Sequence, residues 1–129
     1  MSGVTRVAIV DAFDDSRENL RSGLLSMESV WLEAECSRYE FFIDVIQQST
    51  PDVAIVSVDS DPESALGLIR KIIVSHPTVD VIGVSSRSDG QFILQMMRAG
   101  AKEFVSLPVR IEEMLDVLER LHSSRAGKE

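Results

Sequence analysis

The chain has 129 residues, 44% of them hydrophobic and 26% charged, which suits one globular domain with a buried core. Its formal net charge of −8 at pH 7 argues against DNA, RNA or an anionic membrane surface as a partner, because phosphate contacts need clustered Lys and Arg. The single Cys36 excludes an internal disulfide, and no apolar segment is long enough to span a bilayer. We therefore expect a cytoplasmic protein without nucleic-acid or membrane partners.

Five segments with strand-like patterns are each followed by a segment with helical spacing of its apolar residues. The strands are predicted at Thr5–Val10, Trp31–Ser37, Asp52–Val58, Val79–Val84 and Glu103–Leu107. Asp14 or Asp15 can cap the first helix, which carries Leu20, Leu24 and Met27 on one face. The other helices are predicted at Tyr39–Gln48, Glu63–Val74, Gly90–Ala99 and Ile111–Leu121. We assign residues 1–122 to one domain and the polar residues 123–129 to a tail or the start of a linker.

Five right-handed βα units of this length predict an α/β fold, with a doubly wound parallel sheet of the flavodoxin-like type and strand order 2-1-3-4-5. The carboxyl ends of parallel strands meet at one edge of such a sheet. At that edge Asp11 follows the first strand, Ser57 and Asp59 the third, and Ser85 and Ser86 the fourth. The sequence therefore predicts a crevice with acidic and hydroxyl groups but few ligands for a metal.

Three segments resemble parts of the receiver domains of two-component response regulators, whose (βα)5 fold is called CheY-like. Pro51–Ser57 resembles the strand that ends in the phosphate-accepting aspartate, and Ala65–Ile72 resembles the helix that follows it. Ala99–Pro108 resembles the run that closes on a Lys-Pro pair. Ser57 lies 28 residues before Ser85, which lies 22 before Leu107, and both intervals are similar to those of the family. The resemblance covers nearly the whole chain.

The resemblance implies a phosphorylation site that lacks three of its usual groups. In a working receiver two acids help to hold Mg²⁺, an aspartate attacks the phosphoryl donor, and a lysine and a hydroxyl bind the phosphoryl oxygens. In this sequence the acidic pair is reduced to Asp11 beside Ala12, the acceptor position is Ser57, and Leu107, before Pro108, takes the place of the lysine. A serine hydroxyl forms no acyl phosphate and a leucine supplies no cation, so the standard transfer should fail.

The resemblance also assigns two residues to the family's switch, namely the hydroxyl of Ser85 and the ring of Phe104. Without a phosphoryl signal, we expect Phe104 to be packed in the core or on a partner surface. We expect no cofactor, with Asp11 as a weak candidate ligand for Mg²⁺. Its carboxylate is equally suited to capping the following turn. Pro108 either follows a cis peptide bond, as in many receivers, or only ends a strand.

A second register within the family places the acceptor two residues later, at Asp59. Phosphorylation at Asp59, or at Asp11, would make the chain a phosphorelay receiver with atypical acceptor chemistry. That alternative predicts Mg²⁺ binding and covalent labelling by a small phosphodonor. We prefer the register with Ser57, because the shift breaks the match of the following helix and leaves the downstream spacing mismatched.

We therefore interpret the chain as a pseudo-receiver, a signalling fold kept as a protein-binding module. Receivers commonly bind partners or a second copy through the fourth helix, fifth strand and fifth helix. Here that face is expected near Phe92, Met96, Phe104 and Met114. A small-ligand site has less support because the loop after the first strand lacks glycine, and an enzyme is disfavoured because no histidine lies near a strand end.

The run from Ala99 to Val109, with leucine in place of lysine, resembles the amino-terminal receivers of CpaE/TadZ pilus-assembly proteins. Those proteins carry a MinD/ParA-like ATPase domain behind the receiver. The sequence contains no phosphate-binding loop, so an ATPase or another effector domain would lie beyond Glu129.

Overall fold

A computed structural model describes residues 3–126 of the chain. These residues form a sheet of five parallel strands, which are β1 (Thr5–Val10), β2 (Val30–Cys36), β3 (Val53–Ser57), β4 (Asp80–Ser85) and β5 (Glu103–Ser106). The helices that alternate with them are α1 (Asp14–Leu25), α2 (Phe42–Ser49), α3 (Pro62–Ser75), α4 (Gly90–Ala99) and α5 (Ile111–Ala126). A short 3-10 helix, Tyr39–Phe41, precedes α2. None of the described helices has the length and apolar character needed to cross a membrane.

The strand order β2-β1-β3-β4-β5 confirms the predicted flavodoxin-like fold and its topology. The central strand β3 is buried along its whole length, because helices cover both faces of the sheet. Its side chains alternate between two cores: Ile55 packs with residues of α1 and α5, whereas Val56 packs with residues of α2, α3 and α4. This two-sided burial explains the nearly continuous apolar sequence of the strand.

The edge strand β2 alternates irregularly because its pairing with β1 shifts between Val7 and Ala8. Leu32 pairs with Val7, but Ala34 pairs with Ala8, so Glu33 is an extra residue in β2. Its carboxylate accepts a hydrogen bond from the Arg6 guanidinium at 2.9 Å, which lowers the pKa of Glu33. The bulge therefore reverses which face of the sheet each later β2 side chain joins.

Helix α5 continues to Ala126, five residues beyond the end predicted at Leu121. The reason is a contact that polarity alone did not indicate: Arg125 reaches the start of β4, where it donates to the Asp80 carboxylate at 2.7 Å and to the Thr78 carbonyl at 3.1 Å. Residues 123–126, which were predicted as a tail or the start of a linker, are therefore helical. Residues 127–129, the rest of the predicted tail, lie outside the described part of the chain.

Three residues expected near a partner surface lie in the core instead. Phe92, Met96 and Met114 are 3%, 0% and 0% exposed, because they occupy the inward positions of α4 and α5. Phe104 is half-buried, and its ring packs against the core on the α3 and α4 side of the sheet. The residue of α4 that follows Met96, Met97, is exposed at 37%.

Candidate functional site

An open crevice of about 830 Å³ lies at the carboxyl edge of the sheet, as the topology predicts. It is bounded by the first turns of α1 and by the segments that follow β3, β4 and β5. Its lining residues are Phe13, Asp14, Asp15, Ser16, Asn19, Asp59, Ser86, Leu107 and Pro108. Of the five residues expected to face the crevice, Asp59 and Ser86 line it, whereas Asp11, Ser57 and Ser85 are buried.

The carboxylate of Asp11 is fully buried and turns the chain from β1 into α1. Its Oδ1 accepts from the backbone N–H of Phe13 at 2.9 Å, and its Oδ2 accepts from the hydroxyl of Ser16 at 2.5 Å. The expected cap by Asp14 or Asp15 is absent from the start of α1, where Phe13 is the N-cap without a side-chain bond. Of the two roles considered for Asp11, the turn cap is therefore the one that its contacts support.

The hydroxyl of Ser57 is closed off from the crevice. The residue is 1% exposed, and its Oγ has no hydrogen-bond partner among the described residues. Ser57 shares its side of the sheet with Ile55, and Leu107, which lines the crevice, packs against the same core. Because Ser57 is 1% exposed and is not among the lining residues, a phosphodonor in the crevice would not reach its hydroxyl.

The carboxylate of Asp59 joins the segment after β3 to the segment after β4. Its Oδ1 accepts from the buried hydroxyl of Ser85 at 2.5 Å. Its Oδ2 accepts from both the backbone N–H and the hydroxyl of Ser86, at 2.9 Å and 2.8 Å. The Ser85 hydroxyl in turn accepts from the N–H of Arg87 at 2.9 Å, so this oxygen both donates and accepts.

The segment after β5 closes the other side of the crevice. The peptide bond between Leu107 and Pro108 is cis, which decides between the two alternatives considered for this proline. The N–H of Leu107 donates to the Ser85 carbonyl at 2.9 Å, and the N–H of Val109 donates to the side chain of Asn19 at 2.8 Å. These bonds attach the segment to both β4 and α1.

Three residues at the site were missed by reasoning from strand ends. Ser16 and Asn19 lie three residues apart on α1, a spacing that places them on one face, here the face toward the crevice. Tyr39 donates its hydroxyl to the Ser57 carbonyl at 2.5 Å and lies 3.0 Å from the Ser60 hydroxyl. Burial is the main reason that the pKa of Tyr39 is raised. Only the helical spacing on α1 was visible in the sequence as a signal.

Two acidic groups near the crevice are held by neighbouring side chains. Within residues 3–126 there is no group of three or more His, Cys, Asp or Glu side chains placed to hold a metal ion. Asp14 forms an ion pair with Arg17 at 2.7 Å, and Asp61 caps α3 by accepting from Ser64. The latter bonds lower the pKa of Asp61. Each of these carboxylates thus has a local partner.

Comparisons with known proteins agree with this architecture. The response regulator GacA of Pseudomonas aeruginosa is 22% identical over 120 residues, which are 93% of this chain and 56% of that protein. A two-component response regulator of the LuxR family from Aurantimonas sp. SI85-9A1 superposes with a TM-score of 0.85 at 17% identity, over 95% of this chain and 87% of that chain. A Burkholderia pseudomallei protein described as pilus assembly-related superposes with a TM-score of 0.84 at 16% identity, over 95% and 92%.

The chain spans about half or less of the length of the first curated relatives that it matches. The family model of the response regulator receiver domain matches residues 7–119, which extend from β1 to the middle of α5. The strand order and the crevice at the carboxyl edge lie within the matched residues. The chain therefore belongs to the family of response regulator receiver domains.

Proposed function

We propose that this receiver domain signals without phosphorylation, as a pseudo-receiver whose function is to bind protein partners. The observation that supports the proposal best is the acceptor position: Ser57 is 1% exposed and has no carboxylate. Ala12, beside Asp11, offers no second acid for Mg²⁺. A domain of this kind acts by binding and not as an enzyme, and it needs no cofactor.

Intact-mass spectrometry after incubation with Mg²⁺ and acetyl phosphate tests this proposal directly. We expect no phosphoryl adduct, because the acceptor, the second acid and the lysine are all missing. An ordinary receiver treated in parallel shows that the donor is active. The triple variant Ser57→Asp, Ala12→Asp, Leu107→Lys is the matched control within this chain, and it should gain Mg²⁺ affinity and a measurable adduct.

The alternative function, a phosphorelay receiver that uses Asp59 or Asp11, makes the opposite prediction for the unmodified chain. Either acid would have to leave its present hydrogen bonds, because both oxygens of each carboxylate accept bonds from neighbouring groups. An adduct that peptide mapping places on Asp59 or Asp11 would establish this alternative and contradict the pseudo-receiver. An adduct in the triple variant alone would support the register with Ser57.

We propose that α4, β5 and α5 form the partner face, with either a protein partner or a second copy of the chain. Gln91, Gln95 and Arg98 line a groove beside α3, so Met97 lies on the opposite side of α4, toward β5. The exposed part of this face combines Met97 with the half-buried Phe104. The exposed methionine and the half-buried aromatic ring support the proposal that this face binds a partner.

The remaining proposals concern the longer protein of which this domain would be a part. We place the domain in the cytoplasm and extend it to the end of α5 at Ala126, and we propose that the longer protein also contains an effector domain. The resemblance to CpaE/TadZ proteins favours a pilus-assembly ATPase as that effector, and the similarity to the pilus assembly-related protein of Burkholderia pseudomallei is in keeping with this.

A further inference from the structure

The contacts of Asp59 point to a binding site that is already occupied. Three donors from two consecutive residues converge on one carboxylate, namely the hydroxyl of Ser85, the N–H of Ser86 and the hydroxyl of Ser86. All three donor-to-oxygen distances lie between 2.5 and 2.9 Å, as expected for hydrogen bonds to a charged acceptor. Such a set of donors is the usual means by which a protein holds an oxyanion.

We infer that Ser85 and Ser86 form an anion-binding cradle, and that the carboxylate of Asp59 fills it as a permanent substitute for a free anion. Two features orient the donors. Ser85 is fully buried and its oxygen already accepts from the N–H of Arg87, so its proton is directed to Asp59. Ser86 lines the crevice, so removal of the Asp59 side chain would leave its donors facing open space.

Charge explains why the occupant is part of the chain. The molecule carries a formal charge of −8, and Asp14 and Asp15 line the same crevice, so a free anion would be repelled. A carboxylate held two residues beyond β3 has a high effective concentration at the cradle and is not diluted by dissociation. The covalent attachment of Asp59 to the chain therefore offsets the electrostatic repulsion that would weaken the binding of phosphate or a carboxylate from solution.

The consequence is a fixed conformation of the segment between β4 and α4. In this segment the N–H of Ser86 donates to Asp59 and the N–H of Arg87 donates to the Ser85 hydroxyl. The Asp89 side chain caps α4 by accepting from the N–H of Phe92 at 3.2 Å. The inference rests on the proposed function, because a cradle filled from within needs no phosphoryl group to order this segment. The inference adds to that function that Asp59 takes the place of the phosphoryl group in ordering this segment.

Amide hydrogen exchange of the Asp59→Ala variant tests the inference. The amides of Ser86 and Arg87 should exchange about tenfold faster or more than in the unmodified chain. The Ser86 amide loses its acceptor, and the Arg87 amide bonds a hydroxyl that Asp59 orients. Tens of millimolar inorganic phosphate should slow both amides again in Asp59→Ala and have no effect on the unmodified chain. The amide of Ile9, in the centre of β1, should be unchanged throughout.

The matched control is Asp61→Ala, which removes the same charge from the same loop. The carboxylate of Asp61 bonds Ser64 and does not bond Ser85 or Ser86. This variant should leave the Ser86 and Arg87 amides unaffected. If Asp59→Ala does not fold, Asp59→Asn is compared with Asp61→Asn instead. Asp59→Asn should speed exchange at Ser86 and Arg87, but phosphate should have no effect, because the asparagine amide still fills the cradle.

Unchanged exchange at Ser86 and Arg87 would overturn the inference, and so would faster exchange that phosphate does not reverse in Asp59→Ala. Neither result involves a phosphodonor. A phosphoryl adduct in the mass experiment would overturn the proposed function instead, so the two failures are distinguishable.

Discussion

Two buried serines at the crevice differ in whether their hydroxyl groups are satisfied. Ser85 is fully buried, and its hydroxyl donates to Asp59 and accepts from the N–H of Arg87. Ser57 is equally buried, and its hydroxyl has no partner among the described residues. A buried polar group without a hydrogen bond destabilises the folded state, whereas a bonded one is close to neutral or stabilising. The two residues should therefore respond oppositely to removal of their hydroxyl groups.

The variant Ser57→Ala should be more stable than the unmodified chain by about 1 kcal/mol, because it removes an unpaired hydroxyl and leaves little empty space. The midpoint of urea unfolding, at an unchanged slope, measures this gain. Ser85→Ala is the control with the same chemical change, and it should lower the midpoint since Asp59 and Arg87 lose a partner. A loss of stability in Ser57→Ala would show that its hydroxyl is bonded in solution.

The site shows which single-residue roles a sequence can and cannot reveal. Strand ends placed Asp59 and Ser86 at the crevice, because their positions follow from topology alone. The bond between Asp59 and Ser85 was not predicted, since it depends on how two loops 26 residues apart approach each other. The burial of the Ser57 hydroxyl was likewise not predicted, because the sequence does not fix which side chains close a crevice.

At the scale of elements, the last turn of α5 depends on a buried ion pair at the opposite edge of the sheet. The Asp80 carboxylate, 7% exposed in its side chain, accepts from Arg125 at 2.7 Å and pairs with Lys102 at 3.0 Å. Arg125 also donates to the backbone carbonyl of Asp52 at 3.0 Å. A charge this buried needs its partners, because its loss of hydration is compensated only by their charge and hydrogen bonds.

The variant Arg125→Gln should therefore lower the free energy of unfolding by about 1–2 kcal/mol. This is less than complete loss of a buried pair, because Lys102 still faces Asp80 and Arg125 is itself partly exposed. Urea unfolding followed by circular dichroism measures the change. Arg120→Gln is the control on the same helix, since Arg120 pairs with Glu103 at the surface, and it should have a much smaller effect. Equal effects would show that the burial of Asp80 adds nothing.

The elements themselves were largely predictable, and their ends were not. Apolar periodicity predicted all five strands and all five α-helices of the described residues, because the spacing of apolar residues follows from burial of one or both faces of an element. The end of α5 was missed since the segment after Leu121 is polar, and its helical state depends on Arg125 reaching β4. The bulge at Glu33 was missed for a similar reason, because register depends on the partner strand.

At the scale of the whole molecule, charge restricts where two copies of the chain could meet. The net charge of −8 makes random approach of two copies unfavourable. Of the five described α-helices, α4 is the one that contains neither Asp nor Glu. Its outward side toward β5 carries the exposed Met97, and β5 itself carries the half-buried Phe104. A contact that places two copies of this face together would bury apolar surface without opposing carboxylates from α4.

If two copies associate through the proposed face, the variant Met97→Glu should weaken that association by about tenfold or more, because it places an unpaired carboxylate on the face. Sedimentation equilibrium over a range of protein concentrations measures the change, and the unfolding midpoint should stay within the range of ordinary surface substitutions. Gln95→Glu adds the same charge on the other side of α4, in the groove beside α3. If both variants weaken association equally, the change in net charge explains the effect and the position of Met97 does not. A chain that is monomeric at every concentration would exclude the second copy and leave a different protein as the partner of this face.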